Sequence, residues 1–152
     1  MRVYRIGKTR HIRDLSGAGA RMYGGRWNKK GVGILYTSAN RALATVEYLV
    51  HVPLSLVPND LDIATIQIPD HINLREVSIS DLPANWRNYP APPELAELGT
   101  QWALSTETLV LRVPSAVVEG EFNILINPLH PDMMHVTISD VAAYQFDERL
   151  VR

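Results

Sequence analysis

A Gly24-Gly25-Arg26-Trp27-Asn28 run, Tyr36 and Glu47 are the residues of this chain whose types and spacing best suit chemistry. Two glycines ahead of Arg26 let backbone approach a ligand closely, and the planar guanidinium can grip a phosphate with two parallel N–H bonds. An arginine after two glycines is also an ordinary surface residue, so this signal alone decides little. Tyr36 follows Ile34-Leu35 and is either a core aromatic or a stacking surface. Glu47 borders the apolar stripe of an expected helix, where a carboxylate must be solvated, paired with an arginine or put to use. Further along, Leu109 to Val113 runs into Pro114-Ser115. Ser115 either caps the next turn or hydrogen-bonds a ligand, and no Ser-His-Asp setting marks it as a nucleophile. Asn123 and Asn127 bracket Ile124 to Ile126, as turn-forming asparagines do.

The rest of the sequence bounds what these residues can belong to. The chain has 152 residues with 46% hydrophobic and 20% charged residues, enough for one domain over 1–152 with one core. It has no cysteine, which excludes disulfides and thiolate metal sites, and the spacing of His11, His51, His71, His130 and His135 suggests no metal site. Walker, dinucleotide G-x-G-x-x-G, H-E-x-x-H and G-x-S-x-G patterns are missing. No apolar run reaches the roughly 18 residues of a membrane span, and the start at Met1-Arg2-Val3-Tyr4-Arg5 reads as a strand, so a cytoplasmic protein is expected. The formal net charge of -1 conceals an asymmetry, since residues 1–52 carry +8 and residues 53–152 carry -9. Such a basic third points to a local anionic ligand, an acidic partner or two oppositely charged halves packing together. A direct nucleic-acid surface would raise the pI of the whole.

Positioning these side chains requires a mixed, α+β set of elements. Strands are expected at Val3–Ile6, Ile34–Thr37, Asp62–Ile68, Asn73–Val77, Thr108–Val113, Asn123–Ile126, Met134–Ile138 and Ala142–Phe146. Gly7 to Gly33 holds most of the glycines and reads as a long functional loop. A helix over Arg41–His51, capped by Ser38 or Asn40, places Ala42, Leu43, Val46, Leu49 and Val50 on one stripe with Glu47 at its flank. A second helix over Glu94–Leu104 puts Leu95, Leu98 and Trp102 on one face, after an irregular Leu82–Pro93 connection.

In order and wording these segments resemble the RES domain, a bacterial toxin family named for its arginine, glutamate and serine. The resemblance runs from Tyr4-Arg5-Ile6 through Leu15 to Ala20, Gly25 to Asn28, Tyr36-Thr37-Ser38, Ala44, Glu47 and His51. It resumes at Val113 to Val117 and Asn123 to Pro131, while the stretch from Pro53 to Thr100 is the least distinctive. The resemblance implies an ADP-ribosyltransferase-like mixed sheet with two or three helices and an activity that consumes NAD+ by cleaving its nicotinamide–ribose bond. It also implies a toxin paired with a cognate antitoxin that bears a helix-turn-helix region. Carried over by position, the site would use Glu47, Arg26, Tyr36 and Ser115 for catalysis and Arg5, Arg26, Tyr36 and Asn123 for holding NAD+, with no metal. ADP-ribose would pass to water or phosphate. The alternatives are transfer to a protein target and a catalytically silent module that binds an anion or partner.

Overall fold

The apolar alternation of residues 61–68 buries Leu61, Ile63, Ala64, Ile66 and Ile68, and the strands around them build the sheet that carries the site. The computed structural model describes residues 1–152. Seven strands form one sheet: β1 (Arg2–Lys8), β2 (Leu35–Ser38), β3 (Leu61–Gln67), β4 (Leu74–Glu76), β5 (Val110–Pro114), β6 (Phe122–Ile126) and β7 (Thr137–Tyr144), in the order β4-β5-β6-β2-β1-β3-β7. The β4–β5 pair is parallel and every other pair antiparallel.

The sheet is nearly divided in the middle. β1 pairs with β3 at seven positions, from Arg2 opposite Gln67 to Lys8 opposite Leu61, but with β2 only where Tyr4 faces Ser38. Two half-sheets, β4-β5-β6-β2 and β1-β3-β7, therefore diverge from a single point of contact. Successive side chains of β5 and β6 alternate between two cores. Val110, Ile124 and Ile126 pack with Val3, Leu35 and Ile66 on one face. Leu111, Val113 and Leu125 pack with Trp27, Trp86, Leu95 and Trp102 on the other.

Three α-helices complete the fold: α1 (Ala18–Tyr23), α2 (Arg41–Leu49) and α3 (Pro93–Ser105). Of the two expected caps of α2, Asn40 is the one used, its Oδ1 accepting from the Leu43 N–H at 2.8 Å. α3 starts with proline at its first turn and buries Leu95 and Trp102 as expected.

Three expectations need correction. The Gly7–Gly33 loop contains α1, whose six residues bury no side chain and so show no apolar stripe to read. The last two expected strands are one strand, β7, preceded by a 3₁₀ turn over Pro131–His135. The Ser139-Asp140 pair, which reads as a turn, lies in a β-bulge where the ladder against Thr65 and Ile66 slips. The buried residues of α2 are Leu43 and Ala44, while Val46 and Val50 are exposed, so the inward face is rotated from the expected stripe toward Glu47.

Candidate active site

Where the half-sheets part, a cavity of about 600 Å³ opens, within the range of pockets that enclose a small-molecule ligand. β1 contributes Tyr4, Arg5 and Ile6 to its wall, and β2 contributes Tyr36, Thr37 and Ser38. α2 presents Ala44, Glu47 and Tyr48, which fall at i, i+3 and i+4 and so share one helical face toward the cavity, and the turn after it adds Val50 and His51. Asn123 of β6 closes the floor.

Glu47 is half-buried and tightly held. Its Oε1 accepts from Ser115 Oγ and from Asn123 Nδ2, each at 2.7 Å. The Ser115 hydroxyl also accepts the Val117 and Val118 N–H groups at 3.1 and 3.0 Å, which makes it the cap of the turn after β5 as well as a partner of Glu47. Ser115 itself is buried and does not line the cavity. Its hydroxyl donates to the Glu47 carboxylate, so in this structure its side-chain partner is Glu47. Asn123 is held in turn by Ser38, whose Oγ donates to Asn123 Oδ1 at 2.9 Å.

The arginines line the cavity but also brace its loops. Arg5 Nη1 donates to the carbonyls of Ile12 and Asp14, at 3.1 and 2.9 Å, and so pins the turn after β1. Burial lowers its pKa, with Asp14 acting the other way. Arg26 Nη1 donates to the Trp86 carbonyl at 2.7 Å and Nη2 to that of Asn88 at 3.1 Å. Burial lowers its pKa too, opposed first by the field of the Glu47 carboxylate. A guanidinium has five N–H donors, so each arginine keeps some for a ligand after these bonds.

Tyr36 sits beneath Gly25. Its hydroxyl accepts the Trp27 N–H at 3.0 Å and donates to Asn28 Oδ1 at 2.7 Å, which fixes the strip bearing Arg26. Burial pushes its pKa well up, against the pull of Trp27 and Arg26. A Cβ on Gly25 would lie 2.8 Å from that hydroxyl, so the close approach requires glycine here. The Tyr36 ring lines the cavity while its polar end works inside the protein.

Sequence reasoning did not single out Tyr23, Tyr48, Arg87 or Tyr89, which also line the cavity. Arg87 and Tyr89 belong to the irregular 82–93 connection, whose only signal was its content of tryptophan, tyrosine and proline. Side chains of His, Asp and Glu form no group of three that could hold a metal ion.

The RES domain profile matches residues 2–147. The chain belongs to the RES domain family. A protein of Sphingobium sp. (strain YBL2) named Prs ADP-ribosylating toxin is 39% identical over 147 residues, covering 95% of this chain and 91% of the relative. A protein of Yersinia enterocolitica named Toxin Res is 38% identical over 153 residues, covering 99% of each. Among solved structures, the M. tuberculosis MbcT-MbcA toxin-antitoxin complex matches with a TM-score of 0.72 at 17% identity, covering 95% of this chain and 84% of the matched one. That likeness establishes a shared α+β fold. Within this RES domain, Arg5, Arg26, Tyr36, Glu47 and Asn123 converge on one cavity, and Ser115 stands directly behind Glu47.

Proposed function

We propose that this RES domain, a single domain over residues 1–152, is the toxin of a toxin–antitoxin pair and depletes NAD+ by cleaving its nicotinamide–ribose bond. The observation that carries this reading is the Glu47 carboxylate, held through one oxygen by Ser115 and Asn123 at the wall of a cavity that Arg5 and Arg26 also line. The name of the Sphingobium relative supports the substrate, because ADP-ribosylation consumes NAD+.

The chemistry follows from the leaving group. The bond between the ribose C1′ and the pyridinium nitrogen breaks with both electrons going to nitrogen, and nicotinamide departs neutral without an acid. The demand falls on the electron-poor ribose, whose oxocarbenium character a fixed carboxylate stabilises. Glu47 supplies that charge through Oε2 and can accept from the ribose hydroxyls. Ser115 and Asn123 keep it from rotating away, and Asn123, at the cavity surface, can also meet the ribose or carboxamide. Arg26 and Arg5 hold the pyrophosphate with their remaining donors, so that binding energy from the unreactive part orients the scissile bond. The Tyr36 ring provides a stacking surface. Water, losing a proton, or a phosphate oxygen then takes the ribosyl carbon.

A second reading, transfer of ADP-ribose to a protein side chain, is favoured by the 39% identical relative's name. Cytoplasmic action and a helix-turn-helix antitoxin as partner complete the proposal. They rest on the family resemblance and on the fold shared with a toxin crystallised with its antitoxin. No helix is long and apolar enough to cross a membrane.

Incubating the protein with NAD+, with and without phosphate, and identifying products by mass spectrometry tests the reading. Free nicotinamide with ADP-ribose or its 1-phosphate is expected. ADP-ribose appearing only on an added protein would support the second reading, and intact NAD+ under all conditions would leave a silent binding module.

A further inference from the structure

The carboxamide of Asn123 can support Glu47 only if its NH₂ end, and not its oxygen, faces the carboxylate. Asn123 sits in β6 directly opposite Ser38, the last residue of β2, so the two side chains share a face of the sheet at closest range. Ser38 is 5% exposed, and its hydroxyl donates to Asn123 Oδ1 at 2.9 Å while Asn123 Nδ2 donates to Glu47 Oε1 at 2.7 Å. Ser38 is also the one residue of β2 that pairs with β1, through Tyr4, so it stands at the point from which the half-sheets diverge.

From this chain of bonds we propose that Ser38 is a positioning residue. Its hydroxyl fixes the orientation of the Asn123 amide, and through it the rotamer of Glu47. A hydroxyl donates one hydrogen, and here that hydrogen is committed to the carboxamide oxygen. Without it the Asn123 oxygen loses its donor and only the bond to Glu47 resists rotation of the amide. Each time the amide turns away, Ser115 alone holds the carboxylate. Ser38 does this from the strand end where the sheet is joined, which ties the geometry of the carboxylate to that join.

The test has two arms. In the first, the Asn123 side-chain amide is followed by ¹⁵N–¹H NMR, its signals identified by their loss in Asn123→Ala. Ser38→Ala should shift these signals and speed their exchange with water while the backbone spectrum stays dispersed. Ser38→Thr, which keeps the hydroxyl, should restore them. This arm is independent of any activity.

The second arm rests on the NAD+-cleaving reading. Ser38→Ala should lower kcat about tenfold with KM for NAD+ nearly unchanged, the pattern of a lost transition-state contribution. The double variant Ser38→Ala/Asn123→Ala should be no slower than Asn123→Ala alone, because the two act in series. Unmoved Asn123 signals in Ser38→Ala, or effects on kcat that multiply in the double variant, would overturn the positioning role. If the wild-type protein leaves NAD+ intact, the cleavage reading fails, and the amide signals still decide the role of Ser38.

Discussion

At the scale of single residues, the two oxygens of Glu47 have different work. Oε1 accepts from Ser115 and Asn123, whereas Oε2 accepts no hydrogen bond within the protein, which in the proposed reaction leaves it for the ribose. Glu47→Gln should therefore be a clean probe, because a carboxamide oxygen can still accept from both neighbours and the side chain keeps its shape. Expected is a fall in NAD+ cleavage of about 10²–10³-fold, the loss typical when a fixed electrostatic partner of a transition state is removed. Thermal unfolding should remain near wild type, and added NAD+ should still raise the Tm of the variant. A variant that cleaves NAD+ at the wild-type rate would remove Glu47 from the mechanism. Tyr36 answers a different question, because its hydroxyl braces the loop and is committed to Trp27 and Asn28. Tyr36→Phe leaves a backbone N–H and a carboxamide oxygen without a partner, at a cost of about 1–3 kcal/mol. Alkaline pH gives a further signature. Burial raises the Tyr36 pKa in the folded protein. Above about pH 10 the unfolded chain loses this proton while the native one keeps it, so stability falls as pH rises through that region. The alkaline slope of stability, measured by denaturant unfolding from pH 9 to 11, should be shallower in Tyr36→Phe than in the wild type.

At the scale of elements, α3 is what holds the Arg26 strip in place. A Cβ on Gly99 would overlap the Trp27 carbonyl oxygen, and the next residue, Thr100, accepts the Lys29 N–H at 2.9 Å. Glu97 of the same helix pairs with Lys29. Gly99→Ala must push the strip or the helix away, which should cost about 1–3 kcal/mol or more and lower cleavage as Arg26 shifts. Gly19→Ala is the control, since a Cβ there meets nothing within 4 Å and alanine favours the helix. Its Tm should equal or slightly exceed that of the wild type. Neither contact was legible in the sequence, because a glycine inside a helical pattern shows no partner and Trp27 and Gly99 are far apart along the chain. What could be read were elements with a strong period: β3 from its alternating Leu61 to Ile68 run, and α3 from Leu95, Leu98 and Trp102. Glu47 was legible as a half-buried carboxylate, and of the expected stripe beside it Leu43 is buried and Val50 lines the cavity, whereas Val46 is exposed and Ala44, outside that stripe, is buried. Ser115 read as a cap, which it is, but nothing local said that the same oxygen would meet Glu47 across the fold. The loop carbonyls that hold Arg26 carry no side-chain signal at all.

At the scale of the whole molecule, the charge asymmetry and the parted sheet explain each other. Among the side-chain ion pairs, only Lys29 with Glu97 joins the basic first 52 residues to the acidic remainder, so most of the +8 is not cancelled by packing of the two portions. That field is available to an anionic ligand such as the proposed NAD+, and the cavity lined by Arg5 and Arg26 opens where β1 and β2 separate. This separation has a cost. Apart from the Tyr4–Ser38 pair, the edges of β1 and β2 that face each other lack ladder partners, whereas their outer edges pair fully with β3 and β6. Unpaired strand edges are left to water or to a ligand, because a backbone polar group buried without a partner is costly. Hydrogen exchange should therefore be uneven within single strands. Amides of β1 and β2 that point into the cleft should exchange faster than those bonded to β3 and β6, as expected for the less protected part of a cooperative sheet. Saturating NAD+ should slow the fast set if the dinucleotide lies in the cleft, and Glu47→Gln is the form in which to measure it, since the ligand would then persist. Protection should be concentrated around Tyr4 to Ile6 and Tyr36 to Ser38. Protection confined instead to the outer face of α3, with the cleft amides unchanged, would place the nucleotide elsewhere and detach the parted sheet from the chemistry.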